Sequence, residues 1–164
     1  MKPVCFIAAR GGSKGVKNKH TRLFAGNPLI SYAIEQSIKS KFFSHVIVST
    51  EDKKIMSIAK KHGAEVPFIR PKKLATDKSG MLEVLLHGIH ELQSLGYDFT
   101  TIVSRDCTAP FIRNTDILSS IKLMNTKKPD AVFGVYKQHF NPYFNMMEPN
   151  SKGFLKISKF KAQR

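Results

Sequence analysis

The stretch Val4-Cys5-Phe6-Ile7-Ala8-Ala9-Arg10-Gly11-Gly12-Ser13-Lys14-Gly15 joins a continuous apolar run to a cationic, glycine-rich turn. An apolar run that does not alternate with polar residues suits a strand buried on both faces of a parallel sheet. One positive charge and a short apolar segment at an N-terminus also resemble an export signal. Here the run passes straight into Arg10 without a small-residue cleavage pattern and a polar start beyond it. The expectation is a buried first strand in a cytoplasmic protein.

Outward from this segment, strand and helix patterns alternate. Pro28 opens a helical stretch with Leu29, Ile30, Ala33, Ile34 and Ile38 on one face. Residues 45–50 read as a second strand, and Glu51 and Asp52 place acids at the start of the next helix, which stops at His62-Gly63. Residues 65–69 read as a third strand. Ser79 is the expected cap of a helix carrying Met81, Leu82, Leu85, Leu86, Ile89 and Leu92. Residues 99–104 read as a fourth strand, 116–124 as a helix and 131–136 as a fifth strand. This order predicts an α/β fold, a three-layer α/β/α Rossmann-like domain with a mostly parallel sheet. It is expected over residues 1–138. Residues 139–164 change character: His139, Phe140, Tyr143, Phe144, Met146 and Met147 crowd around Pro142 and Pro149. They read as the start of an arm, either a partner surface or a segment folded back on its own core. Residues 154–160 alternate as a strand does.

The chain has 164 residues, enough for one domain with a core that needs neither disulfides nor metal. Its two cysteines, Cys5 and Cys107, form no disulfide framework and read as small buried residues. No apolar run is long enough to span a bilayer. Twenty-seven lysines and arginines against 12 acids give a formal charge of +15. Such a field attracts polyanions, whether nucleic acid, anionic membrane or a nucleoside triphosphate. The lysines are scattered without a block of five or six like charges, which favours a solvated basic surface over a nucleic-acid groove. His87 and His90 stand three apart on a helix with no third ligand nearby in sequence, so they read as packing or surface histidines rather than zinc ligands.

In an open parallel sheet, ligands bind beyond the carboxyl ends of the strands. The first such loop carries Arg10, Gly11, Gly12, Ser13, Lys14, Gly15 and Lys19. It has neither the Walker Gly-Lys-Ser/Thr nor the dinucleotide glycine spacing. Its glycines nevertheless let backbone N–H groups converge on an anion, and Arg10, Lys14 and Lys19 add charge. A flexible basic turn is the plainer alternative. A second loop holds Arg70 beside Pro71; on residues alone Arg70 reads as a surface arginine. A third loop carries Asp106 after the fourth strand, placed either to hold Mg²⁺ or to cap the following turn.

Ile7-Ala8-Ala9-Arg10-Gly11-Gly12-Ser13-Lys14-Gly15 resembles the N-terminal motif of the CMP-acylneuraminate (CMP-sialic acid) synthetase family of cytidylyltransferases. Ile47-Val48-Ser49-Thr50-Glu51-Asp52 resembles that family's second-strand segment, and Arg70-Pro71-Lys72-Lys73-Leu74-Ala75-Thr76-Asp77 its Arg-Pro…Leu-Ala-Ser/Thr-Asp loop. The segment 104–113 follows the family's Gln-Pro-Thr-Ser-Pro-Leu-Arg stretch loosely, with Asp106 where the family has Gln. His20 stands where the family has Asn, and Met81 where it has Ser. The resemblance implies a nucleotidyltransferase that moves CMP from CTP to the anomeric hydroxyl of an acidic, sialic-acid-like keto sugar, with Mg²⁺ as cofactor and pyrophosphate leaving. Arg10, Lys14 and Lys19 would carry catalysis by gripping the triphosphate. Ala9, Gly11, Gly12 and Ser13 would line the nucleotide site, with Arg70 near the base and Asp77 shaping its loop. The resemblance also implies a homodimer through the arm. Family members run on to a late acidic pair that binds the catalytic metal, so this chain is expected to be a front portion or a short form. A related enzyme with another acceptor, or a non-catalytic basic fragment binding nucleotide or nucleic acid, would fit the same residues.

Overall fold

The computed structural model describes residues 1–13, 15–135, 137, 139–140 and 146–159. Lys14, Tyr136 and Tyr143 and Phe144 of the expected arm lie outside the described residues. The chain divides into two compact units, Met1–Lys128 and Pro129–Arg164.

In the first unit the apolar run forms β1 (Val4–Ala8). A short hairpin, β2 (Leu23–Phe24) and β3 (Asn27–Pro28), follows the glycine turn and leads into α1 (Leu29–Ser40). Then come β4 (Val46–Ser49), α2 (Lys53–Lys61), α3 (Met81–Ser94), β5 (Ile102–Arg105) and α4 (Asn114–Lys127). β1 is the central strand, paired in parallel with β4 on one side and β5 on the other. A strand with two parallel neighbours must be apolar on both faces, and β1 is. Cys5 and Ile7 join Val46 and Val48 against Ile30, Ala33 and Ile34 of α1, Ile55 and Ala59 of α2 and Ile117 of α4. Val4 and Phe6 join Ile47 on the opposite face, packed with Phe68 and with Val84 and Leu92 of α3. These are the three expected layers.

Several local expectations are corrected. Of residues 65–69 only Glu65 pairs, in an isolated parallel bridge to Ile47 of β4. Glu65 N–H donates to Val46 C=O at 2.8 Å and Val48 N–H to Glu65 C=O at 2.9 Å. The next ladder donor would come from residue 67, which is proline and has no N–H. The cap of α3 is Gly80 rather than Ser79, whose hydroxyl is spent on Lys73 C=O at 2.9 Å. Arg105 belongs to β5 rather than to the loop beyond it, and Ile38 of α1 is exposed. Residues 131–135 form no strand, and Phe133 and Val135 stay solvent-exposed. An alternating sequence becomes a strand only beside a partner edge.

The second unit contains an antiparallel hairpin, β6 (Met147–Pro149) with β7 (Leu155–Ile157). Met147 pairs with Ile157 and Pro149 with Leu155, so the two apolar pairs share one face, and all four residues are exposed.

Val84, Gly88 and Leu92 form the buried stripe of α3. A Cβ on Gly88 would collide with the ring of Phe6, which is fully buried and has nowhere to move. Gly88→Val should therefore destabilise the domain by about 2 kcal/mol or more, through overpacking that exceeds any gain in helix propensity. Urea unfolding of the variant, with an unchanged midpoint as the contrary result, checks this.

Candidate functional site

Three loops leave the carboxyl ends of β1, β4 and β5. Because the chain goes from β1 to β4 on one side and returns to β5 on the other, the strand order reverses between β1 and β5. Such a switch point opens a crevice in which ligands of open α/β sheets bind.

Ala9 is fully buried and extends β1, its N–H donating to Ser49 C=O at 3.0 Å. The backbone then turns outward. Gly11 N–H donates to Glu51 Oε1 at 2.8 Å, and His20 Nδ1–H donates to Arg10 C=O at 3.1 Å. A carbonyl only accepts, so the ring nitrogen Nδ1 of His20 carries the proton. A Cβ on Gly11 would strike the Asp52 carboxylate, so a larger residue here would displace the side chain that caps α2. Gly12 and Gly15 have open space around them and are exposed. Ser13 N–H folds back to Gly11 C=O at 3.0 Å. Lys19 sits half-buried in a short 3₁₀ turn with the buried His20. Gly12 and Gly15 therefore lie open at the strand ends, while the Gly11 and Ser13 amides are paired within the protein. A cleft of about 50 Å³ beside it is lined by Arg10, Gly11, His20, Asp52 and Lys54 among others.

The loops after β4 and the Glu65 bridge supply the surrounding charge. Asp52 caps α2, its Oδ1 accepting from Lys54 N–H at 2.8 Å and Ile55 N–H at 3.0 Å. Arg70 is buried, which overturns its reading as a surface arginine. It donates Nε–H to Ser49 Oγ at 3.1 Å and Nη2–H to Ser49 C=O. Burial pushes its pKa down, and the nearby Glu51 carboxylate opposes that shift. Asp77 forms an ion pair with Arg10 of the glycine turn.

In the third loop, Asp106 Oδ1 accepts from Thr108 N–H and from Thr108 Oγ–H, both at 2.8 Å. It caps its turn. Both bonds use one oxygen, and the residue is exposed, so its chemistry also suits a hard cation shared with phosphate oxygens. Among the described residues no group of three or more His, Cys, Asp or Glu could enclose a metal by itself. Cys5 and Cys107 are buried and free, with burial raising their thiols to about 11 and about 12, so neither is a thiolate nucleophile at neutral pH.

Arg10, Gly11, Arg70 and Asp77 lie together in this region. Glu51, His20 and Arg105 were not singled out for the site. Glu51 reads in sequence as an acid starting a helix and as part of the segment that resembles the family's second strand, with no site role of its own; its place directly after a strand is a usable signal. Arg105 is buried at the end of β5, donating Nη2–H to Gln36 Oε1 at 2.7 Å.

The comparisons with known proteins agree with this geometry. The sequence profile of the family described as cytidylyltransferase matches residues 4–156. Post-translational flagellin modification protein B of Campylobacter coli is 36% identical over 148 residues, covering 88% of this chain and 62% of the relative. A pseudaminic acid cytidylyltransferase of Campylobacter jejuni is 41% identical over 118 residues, covering 72% of this chain and 50% of the relative. The chain thus spans between half and two thirds of the length of these relatives. A solved CMP:2-keto-3-deoxy-manno-octonic acid synthetase complexed with CTP superposes with a TM-score of 0.66 at 20% identity, over 78% of this chain and 49% of that one. At that identity the likeness is one of fold. No helix among the described residues is long and apolar enough to cross a membrane.

His20 supplies a pH test. Desolvation, its largest influence, lowers its pKa below 6.5, so the folded protein holds it neutral while the unfolded chain titrates near 6.5. Stability from this residue is complete above that pH and declines as acid protonates the unfolded state first. The stability difference between wild type and His20→Asn should therefore narrow from about pH 7 to about pH 5.5. Urea midpoints at the two pH values measure it; a constant difference would remove His20 from the account.

Proposed function

This chain belongs to the cytidylyltransferase family, and from that premise we propose that its protein transfers CMP from CTP to the anomeric hydroxyl of an acidic, sialic-acid-like nonulosonic sugar. The hydroxyl oxygen attacks the α-phosphorus, its proton passes to solvent, and the bond to pyrophosphate breaks. The supporting observation is the glycine turn at the end of β1, whose Gly11 N–H already holds a carboxylate oxygen at the switch point of the sheet. An amide N–H that donates to one anion there has the position and polarity to donate to a phosphate. The names of the relatives, which act on pseudaminic and N-acylneuraminic acids, support the acceptor class.

Phosphoryl chemistry of this kind asks the protein chiefly for positioning and charge. Arg10, Lys14 and Lys19 stabilise the leaving pyrophosphate, and Gly11, Gly12 and Ser13 form the backbone cradle, with Ala9 buried beneath it at the end of β1. Arg70, rigid on Ser49, presents its remaining face toward the nucleotide. Asp106 is the residue we assign to Mg²⁺, whose charge offsets that of the phosphates when bound. We place the reaction in the cytoplasm and assign the arm, with its exposed apolar hairpin face, to a homodimer contact.

CTP with Mg²⁺ should raise the melting temperature more than GTP does, reflecting about 2–3 kcal/mol of stabilisation at a hundredfold excess over Kd. Pyrophosphate should appear when an acidic nonulosonic sugar is added to the full-length protein. Lys19→Ala should cut that rate about a hundredfold. Absence of any CTP-dependent stabilisation sinks the reading for this chain.

A further inference from the structure

The glycine turn is surrounded by acids as well as bases, and two of those acids hold the very groups that a polyphosphate needs. Glu51 Oε1 takes the Gly11 amide at 2.8 Å, and Asp77 takes the Arg10 guanidinium. Glu51 comes from the loop after β4 and Asp77 from the segment before α3, not from the turn itself. The cleft beside Arg10 and Gly11, about 50 Å³ and lined also by His20, Asp52 and Lys54, has room for a few waters and not for a chain of phosphates. With both groups already paired, a triphosphate reaches the Gly11 amide and the Arg10 guanidinium only by displacing these carboxylates.

Glu51 is also poorly compensated where it stands. Its second oxygen, Oε2, is buried without a hydrogen-bond partner. A buried, half-satisfied carboxylate is costly, and a group held at such cost exchanges readily for a better one. Arg70, whose field Glu51 already feels, stands near to stabilise the carboxylate once it leaves the amide. The Arg10–Asp77 pair is part-exposed, with side-chain exposures of 28% and 35%, and such pairs exchange partners easily.

We propose that Glu51 and Asp77 act as carboxylate latches on the glycine turn, competing with an incoming polyphosphate for the Gly11 amide and the Arg10 guanidinium. Nucleotide binding is then an anion exchange, and Glu51 sets its affinity. The arrangement keeps the amide and guanidinium satisfied and tunes the site toward ligands with several linked phosphates. A single phosphate displaces one latch at most; a triphosphate displaces both and gains from each. The proposal rests on the nucleotide reading above only for the identity of the natural ligand.

The test is titration calorimetry of inorganic tripolyphosphate and of CTP into wild type, Glu51→Gln, Asp52→Asn and Asp77→Asn. Glutamine keeps the shape but offers Gly11 a neutral acceptor, about half as strong as the carboxylate. Tripolyphosphate should bind Glu51→Gln about tenfold more tightly than wild type, the equivalent of one charge-assisted hydrogen bond no longer in competition. Asp77→Asn should gain about threefold, a weaker latch being released. Asp52→Asn removes an equal charge close to the same glycine without freeing the Gly11 amide, and asparagine still caps α2. Its gain should stay well below that of Glu51→Gln. An unchanged or weakened affinity in Glu51→Gln overturns the latch, and so does an equal gain in Asp52→Asn, which would reduce the effect to general electrostatics. Should Glu51→Gln fail to fold, the threefold gain of Asp77→Asn decides the matter, with no gain refuting the idea. The two readings separate cleanly. Tight CTP binding to wild type without a Glu51→Gln gain refutes the latch and keeps the cytidylyl reading. A Glu51→Gln gain for tripolyphosphate, with CTP no better than tripolyphosphate in any protein, keeps the latch and refutes the cytidylyl reading.

Discussion

A strand hydrogen-bonded in parallel on both sides has no polar face to offer water, and this constraint on Val4–Ala8 organises the domain. Every residue of β1 must find an apolar neighbour, so helices have to cover both faces of the sheet. α1, α2 and α4 take the Cys5–Ile7 side, and α3 takes the Val4–Phe6 side. Gly88 lets α3 approach Phe6 closely enough to close that second layer. With β1 central, its carboxyl end cannot lie at the rim of the sheet. The glycine turn that follows is consequently delivered to the place where strand order reverses, flanked by the loops of β4 and β5.

The electrostatics at that place run against the bulk composition. The chain carries +15 overall, yet the turn is met by Glu51, Asp52 and Asp77, with Asp106 across the crevice. Two arginines, Arg70 and Arg105, are buried near the strand ends with their pKa values lowered by desolvation. Local acids and buried bases together give a site of fixed, alternating charges, not a uniform basic funnel. Such an arrangement discriminates by geometry, since each anion must be placed against a particular donor. The scattered surface lysines set the long-range attraction, and the loops decide what is held.

The parts of the fold that were legible in the sequence were those written in local pattern. The apolar run of β1, the helical spacing of α1 and α3, the Asp52 start of α2 and the burial of Cys5 and Cys107 all follow from periodicity or residue type. The misreadings share one cause. Residues 65–69 look like a strand, but Pro67 removes the N–H that the ladder would use next. Residues 131–135 look like a strand as well, and pairing requires an edge that no alternation pattern can supply. Ser79 is a good cap in isolation, yet its hydroxyl is already bound to Lys73. In each case a competing hydrogen bond, or the lack of one, overruled propensity.

The candidate site divides in the same way. The chain's own order determined that a phosphate-suited turn follows the first strand, because glycines and cations at that spacing have few other uses there, and it carried enough of the family's motifs to place the chain among the cytidylyltransferases. Only the tertiary structure decided that Arg70 is buried on Ser49, that Asp77 pairs with Arg10 across 67 residues of sequence and that Glu51 holds the Gly11 amide. Those partners are distant in the chain and meet because parallel pairing sets the ends of β1 and β4 side by side and the segment before α3 folds across them, a proximity that local sequence does not encode.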